Sequence, residues 1–199
     1  MTAALSKKHD FDVVFDSQKV FRLVLEALSH PAREVSILEC ARRFGGKHSA
    51  LLALALTLLD NEVSFNTCEN HQLSDDIAAL TLAHRSTVDK ADFIFVCNLD
   101  DLKDVIEHAK CGTLENPHQS ATIVILDEQG NDVPAHRLCL VGPGIDVSRT
   151  VTASPALKQA LILRDAQHYE YPQGIDLLFV SGKGELYAIP RLVRQGEVG

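Results

Sequence analysis

Three runs of strand length constrain this chain more than any other feature. Phe93-Ile94-Phe95-Val96-Cys97, Ala121 to Leu126, and Leu177 to Val180 are apolar almost throughout. A strand with water on one face alternates polar and apolar residues, whereas a strand buried on both faces reads as a continuous apolar run. The chain must therefore cover a sheet on two sides. The segments between the runs supply the cover, because their apolar residues recur at helical spacing.

Val20, Leu23, Val24, Ala27 and Leu28 predict a helix over about 17–29, capped by Asp16 or Ser17 and stopped by Pro31. Glu34 to Leu38 reads as a short strand, and Val63 to Asn66 as another. His48 to Leu59 is apolar nearly all round and predicts a buried helix. Ser74 reads as the cap of a further helix, with Asp75 and Asp76 near its positive end. From Asp100 to Lys110, Leu102, Val105, Ile106 and Ala109 share one helical face. Asp127 to Asp132 reads as a turn around Gly130, with a strand following at Leu138 to Val141. Ser154-Pro155 is a cap followed by a first-turn proline, opening a helix to about 168. Residues 112–120 form the longest predicted loop.

Strands alternating with helices predict a three-layer α/β/α fold. The late strands arrive as close pairs, so the sheet is expected to be mixed, although mostly parallel. With 199 residues the chain is read as one domain, 1–199, with residues 1–15 as a flexible N-terminal segment.

Hydrophobic residues make up 46% of the chain and charged residues 23%, the profile of a folded soluble protein. The formal net charge of −8 is the wrong sign for nucleic acid. No signal peptide is visible, and Leu51 to Leu59 is too short to span a bilayer. The expectation is a cytoplasmic protein that binds neither membrane nor nucleic acid. The five cysteines (Cys40, Cys68, Cys97, Cys111, Cys139) are widely spaced and read as reduced, mostly buried thiols.

Tyr171 to Arg191 holds two apolar runs around a tight turn. Two registers are open. A two-residue turn at Gly182-Lys183 sets Asp176 and Arg191 on one face; a three-residue loop, Gly182 to Gly184, sets them on opposite faces. The first reading of these charges is a register-fixing ion pair. The second makes Arg191 an anion ligand oriented by Asp176. Arg22, beside the apolar face of the first helix, is the other candidate anion contact.

Spacing excludes most catalytic motifs. Gly45-Gly46-Lys47-His48 resembles a phosphate loop, but Ala41 stands where the first glycine belongs and His48 where Ser or Thr is required. Gly142-Pro143-Gly144 lacks the third glycine of a dinucleotide fingerprint. Cys68, His71 and His84 do not complete a zinc set. Asp10, Asp12 and Asp16 read as a solvated acidic segment. No catalytic or metal-binding residue is assigned.

Several stretches together resemble the PhnH family, a subunit of the bacterial carbon–phosphorus lyase system. They are Phe21-Arg22 through Leu28-Ser29-His30-Pro31; the apolar helix ending Leu56 to Asn61; Cys111-Gly112-Thr113 with the strand Ala121 to Leu126; Leu140-Val141-Gly142-Pro143-Gly144-Ile145; and Tyr171-Pro172-Gln173-Gly174-Ile175-Asp176 with Ala188-Ile189-Pro190-Arg191. The resemblance spans about residues 16–198.

That resemblance implies a fold like the pyridoxal-phosphate-dependent transferases, with a seven-stranded mixed sheet between helices but no cofactor-binding lysine. It implies an accessory subunit of an assembly that makes ribose 1-methylphosphonate 5-triphosphate from Mg-ATP and an alkylphosphonate, a transferase reaction. This subunit would bind no cofactor, and no pyridoxal phosphate, of its own. Its partners would be the other carbon–phosphorus lyase subunits and a second copy of itself, as a homodimer. The alternative is a small-ligand enzyme with a degenerate nucleotide or pyridoxal-phosphate site. Lys183, the lysine nearest the final strands, falls in the hairpin turn.

Overall fold

The structure, a computed structural model, describes residues 9–128 and 136–196. The elements are α1 (Phe15–Ser29), β1 (Val35–Ser36), α2 (Leu38–Ala41), α3 (Ser49–Leu58), β2 (Ser64–Asn66), α4 (His71–Thr81), β3 (His84–Arg85), β4 (Phe93–Val96), α5 (Leu102–His108), β5 (Thr122–Leu126), β6 (His136–Val141), β7 (Arg149–Ala153), α6 (Pro155–Asp165), β8 (Asp176–Val180), β9 (Glu185–Ile189) and β10 (Arg194–Gln195).

Seven strands form one sheet in the order β1-β9-β8-β5-β4-β2-β3. The pairings β8–β5, β5–β4, β4–β2 and β2–β3 are parallel, and β1–β9 and β9–β8 are antiparallel. The sheet is mixed and mostly parallel, as the sequence pattern implies.

The apolar runs are the central strands, and the period of two divides their side chains between two cores. Phe95, Val124, Leu178 and Val180 face α1, α3 and α4. Ile94, Val96, Ile123, Ile125, Leu177 and Phe179 face α5 and α6. Leu102, Val105, Ile106 and Ala109 are all buried, as their spacing requires.

The second outer layer contains more than helices. Leu138 to Val141, expected in the main sheet, lies in β6, which pairs antiparallel with β7 and β10 in a separate three-stranded sheet. This small sheet packs against α6. Strand β7, Arg-Thr-Val-Thr-Ala, is only half buried and carries too little apolar signal to announce itself. The expected turn around Gly130 reaches outside the described residues.

Two caps differ from expectation. Helix α1 starts earlier, because the Asp12 carboxylate accepts from the backbone N–H groups of Val14 and Phe15, each at 2.8 Å. Helix α4 is capped by Asn70, whose side chain accepts from Leu73 N–H at 3.1 Å, and Ser74 lies inside the helix. The cap at Ser154 is as expected, accepting from Leu157 N–H at 3.1 Å.

The N-terminal acidic segment is packed where it is described. Phe11 is buried and tilts against Phe44, with ring centroids 4.8 Å apart. Asp16, expected in water, is buried; it receives Asp12 N–H at 2.8 Å and the Arg43 guanidinium at 3.1 Å.

Candidate functional site

Leu177 pairs with Ile189 and Val180 with Leu186, so the β8–β9 loop is the three-residue form, Gly182 to Gly184. Gly184 takes φ +78°, and a Cβ there would lie 2.7 Å from the backbone of Leu38. Only glycine fits both demands.

This register would send Asp176 and Arg191 to opposite faces if β9 ran straight on. That expectation is overturned. The ladder ends at Ile189, Pro190 has no N–H to extend it, and Val193 N–H donates to Pro190 O at 2.9 Å, closing a turn. The turn swings Arg191 back onto Asp176. Arg191 Nη2 lies 2.5 Å from Asp176 Oδ2, its Nε donates to Oδ1 at 3.3 Å, and its backbone N–H donates to Oδ1 at 2.8 Å. Nη1 donates to the carbonyl of Pro117. Asp176 and Arg191 thus tie the open end of the hairpin to the 112–120 loop. An anion reaching Arg191 would have to displace these partners.

Arg22 stands apart from this network, exposed on α1. The structure brings together Asp176 and Arg191 and leaves Arg22 outside their hydrogen bonds.

A cavity of about 220 Å³ opens where β5 and β8 end, lined by Glu34, Asp127, Ser154, Ser181, Glu185 and Tyr187, with Val151 and Leu157 as apolar wall. The carboxyl ends of parallel strands are where α/β sheets bind ligands. Tyr187 stacks on Phe179, directly opposite on β8, with centroids 4.8 Å apart. Its hydroxyl donates to Asp127 Oδ2 at 3.2 Å and lies 3.4 Å from Ser154 Oγ. Burial, reinforced by the Asp127 carboxylate, pushes the phenol well above its ordinary range and keeps it protonated.

A second, wider cleft lies past the ends of β2 and β3 and is lined by Glu69, Asp100, Asp101 and Asp104 beside Cys68. Burial pushes the Cys68 thiol up to about 12. Among the described residues no group of three or more His, Cys, Asp or Glu is placed to hold a metal ion. Neither Arg22 nor Arg191 lines either concavity.

Sequence reasoning missed Arg164, the largest fully buried side chain. Its guanidinium donates to the carbonyls of Ile189 and Pro190, each at 3.3 Å, and of Val193, and meets Asp165 at 3.4 Å. It holds from inside the same turn that Arg191 holds from outside. Its position near the end of a helix gave only the generic signal of a C-terminal base.

The sequence model of the family described as bacterial phosphonate metabolism protein (PhnH) matches residues 9–195. The chain belongs to the PhnH family. The match runs from the packed N-terminal segment through β10, so the two sheets and six α-helices of the described residues lie within the family's pattern. A curated relative is "Putative C-P lyase subunit protein HtxG" of Stutzerimonas stutzeri, 31% identical over 175 residues, covering 87% of this chain and 83% of HtxG. The Gly174-Ile175-Asp176 and Pro190-Arg191 segments are the two halves of the clamp in this structure.

Proposed function

We propose that this PhnH-family chain is an accessory subunit of a bacterial carbon–phosphorus lyase assembly in phosphonate catabolism. The observation that carries the reading is the family match over residues 9–195, supported by the relative named as a subunit of that system. The assembly would convert Mg-ATP and an alkylphosphonate to the ribose 1-phosphonate 5-triphosphate, with this chain binding no cofactor of its own. The mixed seven-stranded sheet between helices is the feature that fits the pyridoxal-phosphate-transferase-like fold implied by resemblance. A homodimer and a cytoplasmic location belong to the same proposal. No helix among the described residues is long and apolar enough to cross a membrane.

Growth tests the proposal. A strain of the source organism lacking this chain should fail to grow with methylphosphonate as sole phosphorus source and grow normally on phosphate. Unimpaired growth on methylphosphonate would refute it.

The cavity at the ends of β5 and β8 favours one form of the alternative reading, a small-ligand site. Its charged lining residues are Glu34, Asp127 and Glu185, so it suits a ligand rich in hydrogen-bond donors and repels phosphate. A nucleotide or pyridoxal-phosphate ligand would bring its phosphate against carboxylates. Titration with ribose and with ribose 5-phosphate separates the cases; tighter binding of the phosphorylated sugar at this cavity would contradict the electrostatic argument.

A further inference from the structure

Helix α1 is apolar on two faces. Val20, Val24 and Ala27 form the face buried in the fold. At 3.6 residues per turn, positions 14, 15, 18, 21, 22 and 25 gather on the opposite side. There Val14 is 70% exposed, Phe15 73%, and Phe21 and Leu25 46% each. A surface helix ordinarily turns polar residues to water on that side. Contiguous exposed apolar surface rimmed by charge marks an interaction site.

The charges around this stripe single out one residue. Lys19 pairs with Glu39 at 2.5 Å, Arg33 with Glu26 at 3.4 Å, and Arg43 with Asp16 at 3.1 Å. Arg22, between Phe21 and Leu25 on the stripe, has no ion pair among the described residues, in a chain whose net charge is −8.

We propose that this face of α1 docks a different subunit of the phosphonate assembly, through an apolar surface bearing a carboxylate that receives Arg22. The inference rests on the subunit reading above and names the surface that serves it. Charge complementarity selects the occupant. A second copy seated here about a two-fold axis would bring the two Arg22 side chains toward each other in a desolvated contact. Glu26, four residues on along α1, and Glu39 are already held by Arg33 and Lys19. Like charges facing across an interface suppress that pairing, and an acid on a foreign surface satisfies Arg22. Self-association of this chain would use another face.

Capture of the full-length chain by the purified other carbon–phosphorus lyase subunits tests the proposal. Phe21→Asp, Leu25→Asp and Arg22→Glu should each weaken capture by about tenfold or more. Ile162→Asp, at an exposed apolar residue of α6, should leave it unchanged. Thermal melting accompanies each variant; if an Asp variant unfolds, Leu25→Ser and Arg22→Glu carry the test. Wild-type capture that these variants leave intact would overturn the proposal and spare the subunit reading. Sedimentation showing that the same variants dissolve a homodimer while capture persists would make the occupant a second copy. Wild-type protein that none of the subunits captures would overturn both.

Discussion

The guanidinium of Arg191 lies 2.5 Å from the carboxylate of Asp176, across the open end of the β8–β9 hairpin. Both side chains are about four-fifths buried, at 21% and 17% exposure. Removing one partner strands the other in a poorly solvated site. Arg191→Ala should cost about 2 kcal/mol and lower the melting temperature by roughly 5 °C. Arg191→Lys should recover little of this, because an ammonium cannot reproduce the fork that reaches Asp176 and Pro117 together. Normal melting combined with lost binding of an anionic ligand would show that the pair serves ligand contact.

The hairpin loop gives a paired test of backbone geometry. Gly184→Ala places a Cβ within 2.7 Å of the Leu38 backbone at φ +78°. It should destabilise by about 2 kcal/mol or more. Nothing lies within 4 Å of a Cβ at Gly182, so Gly182→Ala should stay within about 0.5 kcal/mol of wild type. Equal effects in urea denaturation would contradict the three-residue register.

Arg164 should be the costliest single side chain to shorten. It is fully buried, and three carbonyls of the Ile189–Val193 turn depend on it. Arg164→Met keeps the stem and removes the donors, and should cost about 3 kcal/mol or more. Hydrogen exchange should show the loss first at Val193, whose N–H closes the turn. A variant as stable as wild type would show that the carbonyls find other donors.

Acid stability should depend in part on Asp92. Burial pushes its carboxyl up, but the Lys110 ammonium at 2.5 Å and the hydroxyl and N–H of Ser64, each at 2.7 Å, outweigh burial and hold it below the usual 3.8. A depressed folded-state pKa stabilises fully above the unfolded value and is lost as pH falls through the folded value. Asp92→Asn should therefore lower stability near neutrality, by about 1 kcal/mol given the partial exposure of the pair. The wild-type advantage should fade below about pH 4. An advantage that persists undiminished to strongly acid pH would contradict this assignment.

Cys68 should resist alkylation in the native protein. Burial raises its thiol to about 12, leaving almost no thiolate at neutral pH. Iodoacetamide labelling followed by mass spectrometry should find Cys68 unmodified at pH 7.5 until denaturant is added. Rapid native labelling would show that the Cys68 thiol is not held out of solvent, contrary to the burial that raises it.

The central fold was legible because Phe95, Val124 and Leu178 belong to strands covered on both faces, and such strands leave an unbroken apolar signature. The small sheet was not, because the half-exposed residues of β7 alternate weakly and β10 has only two residues. Of the candidate site, Asp176 and Arg191 were visible as charges at the ends of apolar runs. Their contact was not, because it depends on a turn after Pro190 that strand register alone cannot express. Tyr187 and Asp127 lie 60 positions apart, and the parallel β5–β8 pairing together with the β8–β9 hairpin brings them to one cavity. Asp16 misled for the same reason: its partner Arg43 arrives from beyond α2.

Native mass spectrometry of this chain mixed with the other purified carbon–phosphorus lyase subunits tests the central claim most directly. The expected result is a single assembly of defined stoichiometry that contains this chain and loses it when the α1 stripe carries Phe21→Asp. A mixture in which the chain remains a separate species, under conditions where the other subunits assemble with one another, would contradict the claim that it functions as part of that machine.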